Sequence, residues 1–347
     1  MKIHLGHHFF GAGNLGDDFM LGGFLAALPA AGRAVELTCC VPHPLEPLRQ
    51  RFPQVRWLAY LPDLREACIA ACDVWLGLGG APWQSAVSPW FADHLAGESE
   101  RCAAHRRPMF FLGVGGQDPA AYAQPALRRA AEQAEGIWTR DERSAGALAA
   151  FLPAGRVRAA ADLAHIFFAA HSPPPAAPGR LTAVLNFDFG GWPGLGGGLA
   201  ALARLPARER VWLAQESRPL PGGEMVLYQG LAGAERARWR LQAADSPGAA
   251  LTAVLAGWPS GEWLLAARFH ATLAAAWAGS RAVVLATNDK LAGVAAECGY
   301  PLFPLEGDPA GLAELLIAAP RPAAARLQDR AAAAEQACQE FFAAIGL

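Results

Sequence analysis

Four short segments hold the residues whose types and spacing could do chemistry, and each lies near an apolar run of strand length. The first is FFGAGNLGDD (9–18). Gly11, Gly13 and Gly16 allow a tight turn and close backbone approach. Asp17 and Asp18 suit either the capped start of a helix or a carboxylate facing a cleft, where it would take a proton from a substrate hydroxyl. The second is TRDERSAGAL (139–148). Arg140 follows a short strand and offers a guanidinium either to a structural ion pair or to a phosphate or carboxylate ligand. The third is AADLAH (160–165), in which Asp162 is an acid in an apolar stretch. Such an acid must be paired or face a cleft, whereas His165 reads as a packing residue. The fourth is LLAARFHATLAAAWAG (264–279), where Arg268 and His270 interrupt an apolar run as a strand gives way to a helix. Both suit an anion held on the first turn of that helix, or else a salt bridge. Thr287, Asn288, Asp289 and Lys290 occupy the equivalent turn of the next unit.

The elements that position these residues read as β-α-β alternation. Strands are expected at 2–6, 34–41, 55–61, 74–79, 109–116, 136–140 and near 156–160. Helices are expected at 17–30, 44–52, 64–72, 90–105, 125–135 and 143–151. The proline-rich stretch 171–180 reads as a linker. Beyond it strands are expected at 181–187, 211–215, 225–229, 262–267 and 282–286, with helices near 197–205 and at 250–258, 271–279, 291–299 and 322–344. This pattern predicts an α/β chain of two Rossmann-like, doubly wound domains facing a cleft, residues 1–172 and 180–347. The last helix is placed to pack back on the N-terminal domain. Ligands of open α/β sheets bind beyond the carboxyl ends of the strands, where all four segments fall.

Composition narrows the function. The chain of 347 residues is 53% hydrophobic and 17% charged, with a formal charge of −2. It can bury large cores, and it is no bulk electrostatic binder of nucleic acid. Only two of its 29 basic residues, Lys2 and Lys290, are lysines. Seven cysteines show no CxxC pair and no zinc-ligand spacing, and no metal constellation is visible. The N-terminus has no uninterrupted apolar segment of signal-peptide type, and no charge-free apolar run is long enough for a transmembrane helix. A cytoplasmic protein is the expectation. Gly11-x-Gly13-x-x-Gly16 matches a dinucleotide pattern, but Asp17 and Asp18 sit where a pyrophosphate would meet the helix, and Glu36 lies at the wrong end of its strand for ribose recognition.

Taken together, the segments resemble the polysaccharide pyruvyl transferase family. The resemblance is carried by Gly13-Asn14-Leu15-Gly16-Asp17-Asp18, Arg140-Asp141-Glu142-Arg143-Ser144, Asp162, Arg268-Phe269-His270 and Lys290, in the family's order across residues 6–300. It implies a glycosyltransferase-B-like (GT-B) fold and a transferase that moves pyruvate from phosphoenolpyruvate to a sugar as a ketal, releasing phosphate. It implies His270, Asp17 and Asp162 as catalytic groups and Asn14, Gly16, Arg140, Arg268 and Lys290 as substrate-binding groups. It implies no cofactor beyond the donor substrate. The implied partners are a small-molecule donor and a sugar or glycan acceptor, with peripheral membrane contact if that acceptor is lipid-linked. Alternatives are a nucleotide-sugar-dependent GT-B glycosyltransferase, a relative with a small-molecule acceptor, and a non-catalytic scaffold. Residues 186–260 carry no recognised motif.

Overall fold

The computed structural model describes residues 1–28, 34–84, 90–117, 119–187 and 191–347. The expected end of the first helix at residue 30 lies outside them. Two parallel sheets form the frame. The first holds β1 (Lys2–Leu5), β2 (Glu36–Val41), β3 (Val55–Ala59), β4 (Val74–Leu78), β5 (Met109–Val114), β6 (Ala134–Thr139) and β7 (Val157–Ala159). Their order is β3-β2-β1-β4-β5-β6-β7. The second holds β8 (Ala177–Val184), β9 (Glu209–Ala214), β10 (Arg240–Ala243), β11 (Gly261–Ala266), β12 (Arg281–Leu285) and β13 (Leu302–Phe303), in the order β10-β9-β8-β11-β12-β13. The strand order reverses between β1 and β4 in one sheet and between β8 and β11 in the other. Those are the two crevices where α/β sheets take ligands.

Burial explains the strand sequences. Every residue of β4 (VWLGL) and β5 (MFFLGV) is buried, because helices cover both faces of a parallel sheet. Several expectations change, and β13 and a helix at Leu312–Ala318 form where neither was expected. The segment 225–229 forms part of a helix, Glu224–Gly230, rather than a strand, and β10 follows it. Its apolar residues alternate with no fixed face, so local pattern alone could not decide. The helix Ala164–Ala170 forms where none was expected. The end of the expected linker is strand: β8 begins at Ala177 and includes Pro178 and Gly179. Proline is tolerated there because the register with β11 shifts between Gly261 and Trp263, and the freed Gly179 N–H donates to the Glu262 carboxylate at 2.8 Å.

The final helix, Ala324–Ala344, crosses back to the first sheet. Phe341 is fully buried there, with ring centroids 5.6 Å from Phe110 and 6.1 Å from Trp138. Trp138 Nε1 donates to Glu340 at 2.8 Å. A single large cluster of buried side chains runs from β1 through the helix Leu15–Ala27 to β11, β12 and this last helix. The two sheets therefore share a core across the chain's midpoint. No helix among the described residues is long and apolar enough to cross a membrane. Because Phe341 sits in that shared core, Phe341→Ala is expected to lower stability by about 3–5 kcal/mol. Denaturant unfolding checks this, and a loss below about 1 kcal/mol would show that the helix does not close the core.

Candidate functional site

A small cavity of about 70 Å³ lies between the sheets, lined by Asn14, Asp17, Gly80, Ala81, Arg140, Gln215, Arg268, Phe269, His270 and Lys290. Its walls come from the turns after β1, β4, β6, β9, β11 and β12. All the expected site residues except Gly16 and Asp162 line it directly, and those two touch its lining. A larger cavity of about 430 Å³ adjoins it, sharing Arg140, Phe269 and Lys290 and adding Tyr122, Ser144 and Arg330. A third, of about 290 Å³, lies beyond the glycine turn, lined by Gly13, His43, Pro44, Arg51, Arg218 and Pro247 among others.

Each half of the Gly13–Asp18 turn has a separate task. Asn14 caps its helix, accepting from Gly16 N–H at 3.2 Å, and also accepts from Gln215 Nε2 at 3.1 Å. Gly13, at φ +93°, accepts at its carbonyl from Ser217 N–H. The turn is thus fastened across the cleft to the loop after β9. Gly16 is small because His270 needs the space: a Cβ there would lie 2.0 Å from His270 Nδ1. Asp18 is structural. It accepts from Gly11 N–H at 2.8 Å and from Arg51 at 2.6 Å, and Arg51 reaches on to Asp245 at 2.7 Å. Asp17 instead faces the small cavity. Burial, with Asp18 and Glu216 nearby, pushes its carboxyl up to about 8, against the opposing pull of Arg218 and Lys290. It holds a proton at neutral pH.

Asp162 is fully buried. Burial alone would raise its pKa, but His270 and Arg140 and a hydrogen bond from Ala164 N–H at 3.0 Å outweigh it, and the group stays a carboxylate. Arg140 Nη1 lies 3.4 Å from one oxygen and His270 Nε2 3.5 Å from the other. Burial is also the main influence on His270, lowering its pKa, with Asp162 opposing and Arg140 and Lys290 reinforcing. Arg140 is 3% exposed and stacks 4.4 Å above the Phe269 ring. Its Nε, 4.0 Å from the Asp141 carboxylate, and its Nη2 find no hydrogen-bond acceptor among the described residues, although the residue lines both cavities. Two unmet buried guanidinium N–H directions beside open space are the features of an anion seat.

Arg268 takes the salt-bridge alternative while lining the cavity. It donates from Nε to Glu224 at 2.8 Å and from Nη2 to Glu216 at 2.7 Å, so its charge is matched by two buried carboxylates. It stiffens the cavity wall and adds no net positive charge to it. Lys290 opens the helix Asp289–Cys298 and lines both cavities. His165 is a satisfied core residue between Trp277 and Glu297. Residues missed in the sequence are Gln215, Glu216, Glu224 and Arg51. The pair Gln215-Glu216 directly follows β9, so the carboxyl-end rule applied to VWLAQE would have found it. Glu224 and Arg51 carry no local signal. Among the described residues, no group of three or more His, Cys, Asp or Glu side chains is placed to hold a metal ion.

No protein-family model and no curated protein matches the chain. Solved structures do. A UDP-GlcNAc 2-epimerase from Methanocaldococcus jannaschii aligns with a TM-score of 0.62 at 9% identity, over 99% of each chain. The Neisseria meningitidis UDP-GlcNAc 2-epimerase bound to UDP-GlcNAc gives 0.59 at 10%, over 99% of each chain. Anabaena HepE in complex with UDP-glucose gives 0.58 at 12%, over 98% of this chain and 94% of the other. At such identities the likeness is one of fold, and the fold is the two-domain, GT-B-like arrangement. These neighbours overturn the expectation of pyruvyl transfer from phosphoenolpyruvate: the proteins sharing the architecture end to end are nucleotide-sugar proteins. The engaged Arg268 removes one of the cations which that expectation required for its doubly anionic donor.

The raised pKa of Asp17 has a measurable consequence. The unfolded carboxyl releases its proton near 3.8 while the folded one keeps it to about 8. Between those values the native state binds the extra proton, so stability falls as pH rises. Asp17→Asn removes this slope. Its melting temperature is expected to gain on the parent progressively across that window, and a pH-independent difference would contradict the assignment.

Proposed function

We propose that this chain is an enzyme that acts on a nucleotide-linked sugar bound in the cleft between its two sheets. The observation that carries the reading is Arg140, buried with two unmet N–H groups where the 70 Å³ and 430 Å³ cavities meet. A nucleoside diphosphate supplies the anion that such a seat accepts. The larger cavity, with Tyr122 and Phe269 among its walls, is of the size that small-ligand sites use and would hold the nucleoside. The sugar would then lie against Asp17 and His270. The UDP and UDP-sugar complexes among the fold neighbours support the same ligand class.

The residues divide the chemistry. Arg140 and Lys290 balance the diphosphate charge, which grows on the leaving side as the sugar–phosphate bond breaks. Asp17, protonated at neutral pH, donates a proton to, or after ionising accepts one from, a sugar or acceptor hydroxyl. Asp162 lies between Arg140 and His270 and orients both, while burial, against the pull of Asp162, lowers the pKa of the imidazole. The reading needs no resident cofactor. The 290 Å³ cavity on the far side of the glycine turn favours transfer to an acceptor over rearrangement of a single bound sugar, because it offers a second compartment beside Asp17's turn.

Incubation with UDP-glucose or UDP-GlcNAc and a panel of sugar acceptors is expected to release UDP faster with an acceptor present than without. Arg140→Ala should lower that rate by ~10²-fold or more, the usual scale for one electrostatic group. A rate unchanged in folded Arg140→Ala protein would overturn the reading. An epimerised nucleotide-sugar with no UDP release would replace transfer by rearrangement.

A further inference from the structure

Away from the cleft, β2 and the helix Pro62–Ala71 bring two thiols together. Cys40 Sγ lies 3.9 Å from Cys68 Sγ, across 28 positions of sequence. All seven cysteines are free thiols, and Cys68 is the one that is not buried. It lines a surface cavity of about 180 Å³ together with Lys2, Arg56 and Thr38. Cys72 lines it too, but it is buried and its thiol donates to the Ile69 carbonyl at 3.2 Å.

We propose that Cys40 and Cys68 form a redox-reversible disulfide site that exchanges with small-molecule disulfides through this cavity. Exchange needs an accessible attacking thiolate and a second thiol close behind it. Cys68 supplies the first. The hydrogen bond from Cys40, helped by the Arg56 charge, brings its pKa down to about 7 against the effect of burial. Cys40 supplies the second: it is buried, its own pKa is raised, and it does not line the cavity. In the first step Cys68 thiolate attacks one sulfur of the external disulfide, forming a mixed disulfide and displacing one thiolate. In the second Cys40, losing its proton to that thiolate or to water, attacks Cys68 Sγ and displaces the other. Two protein thiols are oxidised and one external disulfide is reduced to two thiols. The sulfurs must close from 3.9 Å to the bonded distance of about 2.0 Å. That is a small shift between a strand end and the helix packed on it. The product ties the helix to the sheet and closes a loop in the unfolded chain, so the oxidised form is expected to melt higher.

The test is equilibration of the full-length protein with oxidised and reduced glutathione, followed by alkylation and peptide mass spectrometry. The proposal predicts loss of two alkylatable thiols, a Cys40–Cys68 crosslink, and full reversal by dithiothreitol. Cys40→Ser should stop at a glutathione adduct on Cys68, and Cys68→Ser should leave Cys40 alkylatable only on unfolding. A persistent adduct on Cys68 in the parent protein, an unmodified Cys68, or a crosslink elsewhere would overturn it. The measurement on the parent protein stands even if a variant folds poorly.

Discussion

The charge of Asp162 organises the cleft. A carboxylate with no exposure is costly unless its partners are fixed, and here they come from three directions. Arg140 follows β6, His270 follows β11 and the N–H of Ala164 opens the helix Ala164–Ala170. One buried charge therefore orients a guanidinium from one sheet and an imidazole from the other. Neither could hold its place alone: Arg140 leaves two nitrogens unmet, and the His270 ring fits only because residue 16 has no side chain. The site is preorganised by these constraints before any ligand enters.

A second lattice steadies the opposite wall. Arg268 spans Glu216 and Glu224, and Glu216 is flanked by Gln215, which binds the Asn14 cap. Arg51 repeats the device at the cleft's edge, joining Asp18 to Asp245 across the two halves. These pairs hold the glycine turn against the second sheet and leave Asp17 as the carboxyl that faces the cavity. The raised pKa of Asp17 follows from its burial, with the charges of Asp18 and Glu216 adding to it.

Much of this was legible in the sequence. The alternation of apolar runs with Ala-rich stretches placed ten strands within two or three residues, whereas the short or half-exposed β10 and β13 were not expected and β8 begins four residues before its expected start. The site segments were legible because glycine turns and charged residues after strands stand out from apolar surroundings. What was not legible is pairing at long range. Nothing local distinguishes Arg140, which keeps unmet donors, from Arg268, whose donors meet Glu216 and Glu224 some 50 positions away. Asp17 and Asp18 are adjacent and chemically alike, and the contacts of Asp18 with Arg51 and the Gly11 N–H distinguish them. Pro178 misled because the bulge that tolerates it depends on Gly261, far along the chain. The reaction expected from the short motifs fell for the same reason: motif order did not reveal which cations were already matched.

The central claim is that Arg140 and its cavities receive a nucleoside diphosphate. Calorimetric titration with UDP, comparing the parent protein with Arg140→Ala, tests it most directly. The account predicts saturable binding to the parent and a loss of about 10- to 100-fold in the variant, the worth of charged hydrogen bonds at ~1.5–3 kcal/mol. Equal affinity in the two proteins, or no binding to the parent, would contradict it.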